Sequence, residues 1–193
     1  PTLMKLSIAE RGLIVFDAKI KGKPGHAAHE NKDNAIEKLP EIINWFNQLK
    51  FDRVSKLLGP VKTTVTQINA GFQHNVIPSE VDIVVDVRIN ELYDINEIKD
   101  SFVKQCPCQI KARSLNLGPS FISPNHKIIK SANLLGIESY GSPTLSDQAL
   151  LDFPSVKIGP GNSKRSHSAD EYIYVDELLD GIEVYKNLLN KII

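Results

Sequence analysis

The stretch from Val81 to Ile89 constrains this chain more than any other. Val81, Ile83, Val85, Val87 and Ile89 fall on one side of a period of two, with Asp82, Asp86 and Arg88 on the other. Strict alternation of this kind is a strand with one face in a core and one face toward polar surroundings. A single half-buried strand is not stable alone, so partners must lie nearby in sequence. Ile14, Phe16, Ala18 and Ile20 alternate in the same way, and Val61 to about Asn69 is rich in Thr and Val. Gln109 to Leu115 gives a fourth strand.

Two helical patterns separate these strands. Ala35, Ile36, Leu39, Ile42, Ile43, Phe46 and Leu49 recur at helical spacing, with Asp33 as the expected N-cap and a kink expected at Pro40. Ile95, Ile98, Phe102 and Val103 predict a second, shorter helix. The order β-α-β-β-α-β is the split motif of ferredoxin-like domains, and it predicts an antiparallel four-stranded sheet with both helices on one face. The expected domain spans 12–117, with a remnant at 1–11 and a different texture over 118–193. In that last part, Ile128, Ile129, Leu134 and Leu135 mark a helix, Val156 to Ile158 a short strand, and Leu178 to Ile193 an amphipathic closing helix. The fold class is therefore α+β. Helix, strand and helix do not complete a sheet, so the tail is expected to need further partners.

Composition narrows the function classes. The 193 residues hold 23 Lys+Arg against 23 Asp+Glu, so no global charge attracts nucleic acid or an anionic membrane. No apolar run has the length of a membrane span. Cys106 and Cys108 flank Pro107, a spacing that makes a poor disulfide, and no second pair completes a Cys-rich zinc site. A reducing cytoplasm is the expected compartment. Pro1 opens the sequence and Met4 is its one methionine, so an internal piece of a longer polypeptide is expected.

Five histidines are candidates for chemistry. His167 follows Gly159-Pro160-Gly161 and precedes Ser168, Asp170 and Glu171, a setting that suits a metal ligand and equally a solvated loop residue. His26 sits in Gly22-Lys-Pro-Gly-His-Ala-Ala28, where two glycines permit a sharp turn; turn chemistry explains the motif about as well as function does. His29, His74 and His126 have nothing around them that lifts them above surface or turn residues. Arg88 has the planar fork that grips a carboxylate, or it pairs with Asp86 or Asp82. Asn75 lies in a connection where turn propensity is sufficient explanation, and Ser146-Asp147 suits the cap of a short helix. Gly159-Pro-Gly lacks the spacing of a phosphate loop, and no Gly-x-Ser-x-Gly elbow is present.

The arrangement of these motifs resembles the zinc aminoacylase superfamily, which includes acetylornithine deacetylase, succinyl-diaminopimelate desuccinylase, glutamate carboxypeptidase and related dipeptidases. Gly22-Lys-Pro-Gly-His-Ala-Ala28, Asn75-Val-Ile-Pro78 with Asp86-Val-Arg88, Ser146-Asp147, and Gly159-Pro-Gly…His167-Ser-Ala-Asp-Glu171 follow the family's order. Ser146-Asp-Gln-Ala-Leu150 with His167-Ser-Ala-Asp-Glu-Tyr172 is most similar to the acetylornithine deacetylase branch. The resemblance implies a ferredoxin-like lid that dimerises, joined to an α/β catalytic domain with two zinc ions, cobalt or manganese being possible substitutes. It implies His167 as a metal ligand and His26 as the lid histidine that stabilises the oxyanion in the partner subunit's site. Asn75 and Arg88 would bind the carboxylate of a small N-acyl amino acid, and Ser146 and Asp147 would line its pocket. The family's other ligands and its general base lie upstream of the lid and have no counterpart in this chain.

Overall fold

Alternation between core-facing and outward-facing residues decides where the long strands run. The computed structural model describes all 193 residues. In chain order it contains β1 (Leu6–Glu10), β2 (Gly12–Lys21), β3 (Gly25–His26), α1 (Leu39–Gln48), β4 (Lys62–Ala70), β5 (Val76–Ile77), β6 (Glu80–Ile89), α2 (Ile95–Gln105), β7 (Gln109–Ala112), β8 (Ser120–Phe121), α3 (Lys127–Leu134), β9 (Ser139–Ser142) and α4 (Val175–Ile192). Two compact units result: Gly12–Ser55 with Gly59–Gly118, and Pro1–Arg11 with Lys56–Leu58 and Pro119–Ile193. No helix is long and apolar enough to cross a membrane.

The first unit is a four-stranded antiparallel sheet in the order β4-β6-β2-β7. Ile14, Phe16, Val81, Val85, Val87 and Ile89 are fully buried on one face. Ile42 and Phe46 of α1 and Ile95, Ile98 and Phe102 of α2 join the same core, so both helices cover that face. Phe102 stacks on Phe16 at 4.8 Å between centroids and meets Phe46, Trp45 and Phe51 around it. This is the ferredoxin-like α+β arrangement that the alternation predicts.

Details of α1 differ from expectation. Asp33 does not cap it, because the helix begins only at Leu39, after N-cap Lys38, which makes no side-chain cap bond. Asp33 instead accepts from the Lys23 N–H through its carbonyl (2.7 Å) and meets the Lys38 ammonium through its carboxylate. Pro40 lies in the first turn and kinks nothing. There its missing N–H costs no hydrogen bond and its fixed φ suits a helix start.

The second unit centres on β1, a strand the sequence pattern does not announce. All five of its residues are buried, including Ser7 and Glu10, so neither alternation nor an apolar run marks it. It pairs antiparallel with β8 and parallel with β9. The expected strand Val156–Ile158 reduces to one bridge between Lys157 and Ser7. Leu6, Ile8, Ile122, Ile129, Ala132 and Leu188 form its core, which gathers β1, α3 and α4. His126 has a job here after all: its Nδ1 accepts the Ile128 N–H and caps α3.

Candidate functional site

In the ferredoxin-like unit, His26 and Asn75 are brought together by a two-residue ladder. β3 and β5 pair antiparallel with His26 opposite Val76, and the Ala27 N–H donates to the Asn75 carbonyl at 3.0 Å. The Asn75 backbone, rather than its side-chain amide, makes this tie. Gly22, upstream of the ladder, packs against the 33–35 backbone, a reason other than a turn for a glycine there. A Cβ there would lie 2.5 Å from Ala35 N and 2.5 Å from Asp33 O, both backbone atoms. At Gly25 a Cβ would meet only the Asn31 side chain, at 3.5 Å.

His26 is exposed, and its Nδ1 accepts the Ala28 N–H at 3.1 Å. A neutral imidazole that accepts at Nδ1 carries its proton on Nε2, which makes that nitrogen a donor. His29 follows in the same turn, its ring 5.7 Å from that of His26. Lys23, His26, His29, Glu30 and Asp33 border a recess of about 460 Å³.

Arg88 projects from the outer face of β6, where Asp86 receives its fork. Nε donates to Asp86 Oδ1 at 2.8 Å and Nη2 to Oδ2 at 2.9 Å. Both side chains are less than one-third exposed. Of the partners open to Arg88 in the sequence, Asp86 is the one the structure supplies.

In the second unit, Ser146 and Asp147 open a short 3₁₀ turn, Asp147–Leu150. The Ser146 hydroxyl accepts the Gln148 N–H at 3.4 Å and donates to Glu10 Oε2. Asp147 is exposed. Glu10 is 1% exposed, and its other oxygen forms an ion pair with the Lys157 ammonium. Lys157 also donates to Ser142 Oγ at 3.2 Å and Thr144 Oγ1 at 3.4 Å. Burial pushes the Tyr140 phenol above its usual range, and the Glu10 charge adds to the effect. Sequence reasoning missed Glu10 and Lys157. The available signal is that a Glu inside a strand is almost never fully buried without a cationic partner, but the strand itself was not visible.

His167 is exposed and holds a left-handed backbone, φ 61°, uncommon for a residue with a Cβ. Its N–H donates to Glu171 Oε2 at 3.0 Å. Upstream, Gly159 and Gly161 receive the amino-terminal segment: Thr2 N donates to Gly159 O and Leu3 N to Gly161 O, both at 2.9 Å. Gly161 itself has φ +82°, and a Cβ there would press on Ile173 at 3.1 Å. Pro1, Gly161, Arg165, Glu171 and Tyr172 border a recess of about 370 Å³. No group of three or more His, Cys, Asp or Glu side chains in the chain is arranged to hold a metal ion. A stable zinc site takes three or four protein donors, so the residues present do not fit the zinc pair that the resemblance implies.

Comparison with known proteins gives the family of this fold. The profile of the M20 peptidase dimerisation domain matches residues 8–108, just over half of the chain. The chain belongs to the M20 peptidase dimerisation-domain family. It is 30% identical over 189 residues to a LysW-lysine/LysW-ornithine hydrolase of Saccharolobus islandicus, covering 91% of this chain and 51% of that protein. It is 27% identical over 206 residues to the succinyl-diaminopimelate desuccinylase of Rickettsia felis, covering 97% and 54%. The chain thus spans about half the length of the curated relatives it matches. Among solved structures, aminopeptidase PepT from Bacillus cereus aligns over the whole chain and 55% of its own, with a TM-score of 0.74 and 18% identity. The M20 family metallo-carboxypeptidase Sso-CP2 from Sulfolobus solfataricus aligns over 97% and 60%, with a TM-score of 0.65 and 14% identity. These two share the fold.

Proposed function

We propose that this chain is the lid and carboxy-terminal segment of an amide hydrolase that removes an N-acyl group from an amino acid, with N-acetylornithine as the substrate the motifs favour. The observation that carries the reading is the hydrogen bond that the Ala28 N–H donates to His26 Nδ1. With Nδ1 so occupied, the neutral ring has its donor at Nε2. Amide hydrolysis develops negative charge on the carbonyl oxygen, and a positioned donor to that oxygen contributes about 10²–10³ in rate. The ladder that ties His26 to Asn75 holds this donor on a rigid strand pair rather than on a free loop.

Within this reading Asn75 and Arg88 hold the substrate carboxylate, with the Arg88 fork exchanging Asp86 for the ligand. Asp147 and Ser146 line the pocket, and the Glu10–Lys157 pair fixes the Ser146 end of that loop. His167 contributes one metal donor, and the remaining donors and the proton shuttle come from residues outside this chain. The names of the two relatives support an amino-acid product with a second amine, and they keep desuccinylation or dipeptide cleavage as close alternatives. The donor shortfall favours one further reading, in which this chain by itself serves dimerisation alone.

The product of the entire gene is the material for the test. It should hydrolyse acetylornithine in preference to succinyl-diaminopimelate, acetylcitrulline and dipeptides. Mixing a His26→Ala protein with a His167→Ala protein should restore hydrolysis through a lid-to-lid dimer in which one site combines an intact His167 with the partner's intact His26. Preference for a succinylated substrate would replace the deacetylase assignment, and inertness toward every substrate would leave the dimerisation reading.

A further inference from the structure

Cys106 and Cys108 take no part in the site above, yet the fold sets them side by side. Cys106 is the C-cap of α2, where φ −62° and ψ 127° turn the chain out of the helix, and a bend follows at Pro107–Cys108 before β7 begins. The two Sγ atoms lie 3.4 Å apart in thiol–thiol contact. The spacing alone suggested a poor disulfide; the bend removes that objection by turning both side chains the same way. Both thiols are half-buried against the edge of the aromatic core. They border a recess of about 470 Å³ whose rim includes Lys19, Lys21 and Lys38.

Two chemistries suit a close dithiol. Zinc needs three or four donors, and no third His, Cys, Asp or Glu is placed to help. Disulfide formation needs only the two sulfurs, brought from 3.4 Å to about 2.05 Å. The recess gives a small disulfide access; on its rim Lys19 is paired with Glu80 and Asp82, and Lys38 with Asp33. The thiols are also unequal. The hydrogen bond from Cys108 holds the Cys106 thiol below its usual range, and the same contact with burial pushes Cys108 up. That inequality favours Cys106 as the attacking sulfur and Cys108 as the one that resolves.

We propose that Cys106-Pro107-Cys108 is a thiol–disulfide exchange site that closes to an intrachain disulfide at the expense of a low-molecular-weight disulfide. The Cys106 thiolate attacks one sulfur of the small disulfide, whose S–S bond breaks and releases a thiolate. Cys108 then loses its proton to solvent and attacks the Cys106 sulfur of the mixed disulfide, releasing the second thiolate. The protein dithiol is oxidised by two electrons and the small disulfide is reduced to two thiols.

Oxidised glutathione is the probe. The reduced chain is incubated with mixtures of reduced and oxidised glutathione, acid-quenched, alkylated and weighed intact. The expected product has lost two hydrogens, resists alkylation, and exceeds glutathione adducts by at least about tenfold, the advantage of an intramolecular partner. Cys106→Ser and Cys108→Ser close no ring, and the cysteine left in each goes no further than a mixed disulfide. Accumulation of single or double adducts on the wild-type chain, unreactive thiols, or disulfides between chains would each overturn the proposal.

Discussion

Gly22 shows how one absent side chain lets two backbone segments close on each other. The Lys23 N–H reaches the Asp33 carbonyl and the Gly22 N–H reaches the Ser79 carbonyl at 2.9 Å, so backbone closes on this residue from two sides. A Cβ would sit 2.5 Å from two backbone atoms that have no side-chain freedom to yield. Gly22→Ala should therefore cost about 1–3 kcal/mol, the usual range for overpacking. Gly25→Ala meets a flexible Asn31 amide at an ordinary contact distance and should cost well under that. Urea denaturation of the two variants checks the order, and equal midpoints would show that the 33–35 backbone yields to a Cβ at Gly22. Arg88 poses the opposite question, since its bidentate partner is already in the chain. Replacing it with Lys keeps the charge and loses the fork. The pair is partly exposed, so the stability loss should stay within about 0–1 kcal/mol. Catalytic efficiency of the whole gene product should fall by at least about tenfold, equivalent to roughly 1.4 kcal/mol of transition-state binding. Unchanged kinetics would leave Arg88 as the partner of Asp86 and nothing more.

At the scale of elements, α4 carries a charge device at its first turn. Glu177 accepts from the Tyr174 N–H at 3.0 Å and from both outer nitrogens of Arg165, one at 2.8 Å. These donors hold the Glu177 carboxyl below its ordinary value near 4.5, the Arg165 hydrogen bonds first. A depressed carboxylate stabilises the fold when ionised, so its contribution is complete above about that ordinary value and is lost as pH falls below it. Arg165→Gln should therefore lower the melting temperature near neutrality and leave it unchanged at the acid end, which flattens the decline on the acid side. A variant whose acid limb runs parallel to the wild type would show that this pair adds nothing to stability.

The same scale separates what the sequence discloses from what it hides. β2 and β6 are legible because each has one wet face, and α2 because Ile95, Ile98 and Phe102 fall at helical spacing on its buried side; its Asp94 cap, accepting from Asn96 N–H, is seen only in the structure. α1 misleads because Ala35 is buried in the turn before the helix and extends the apolar spacing upstream, although the helix starts beside Pro40. β1 is invisible because it is buried on both faces and carries Glu10, whose partners Ser146 and Lys157 lie more than a hundred residues away. The candidate site divides along the same line. His26 and His167 are legible as motif residues in glycine-bearing loops, whereas the carboxylate that holds Ser146 depends wholly on long-range pairing.

For the molecule as a whole, the decisive quantity is the number of metal donors. Structural and catalytic zinc sites take three or four ligands, and the binding free energy of a structural site is about 10–16 kcal/mol only when that set is complete. His167 offers one imidazole on an exposed loop, and Glu171 is engaged by the His167 N–H. His26 and His29 lie in the other unit with their rings 5.7 Å apart, and no third donor is arranged with them either. One or two donors on mobile side chains compete poorly with water for the ion. The chain by itself should therefore bind zinc more weakly than micromolar in calorimetry, and saturating zinc should raise its melting temperature little, because ligand stabilisation follows the ratio of free ligand to Kd. The whole gene product should bind far more tightly and lose that affinity on His167→Ala. Micromolar binding by this chain, abolished by His167→Ala, would mean that a complete donor set forms within it.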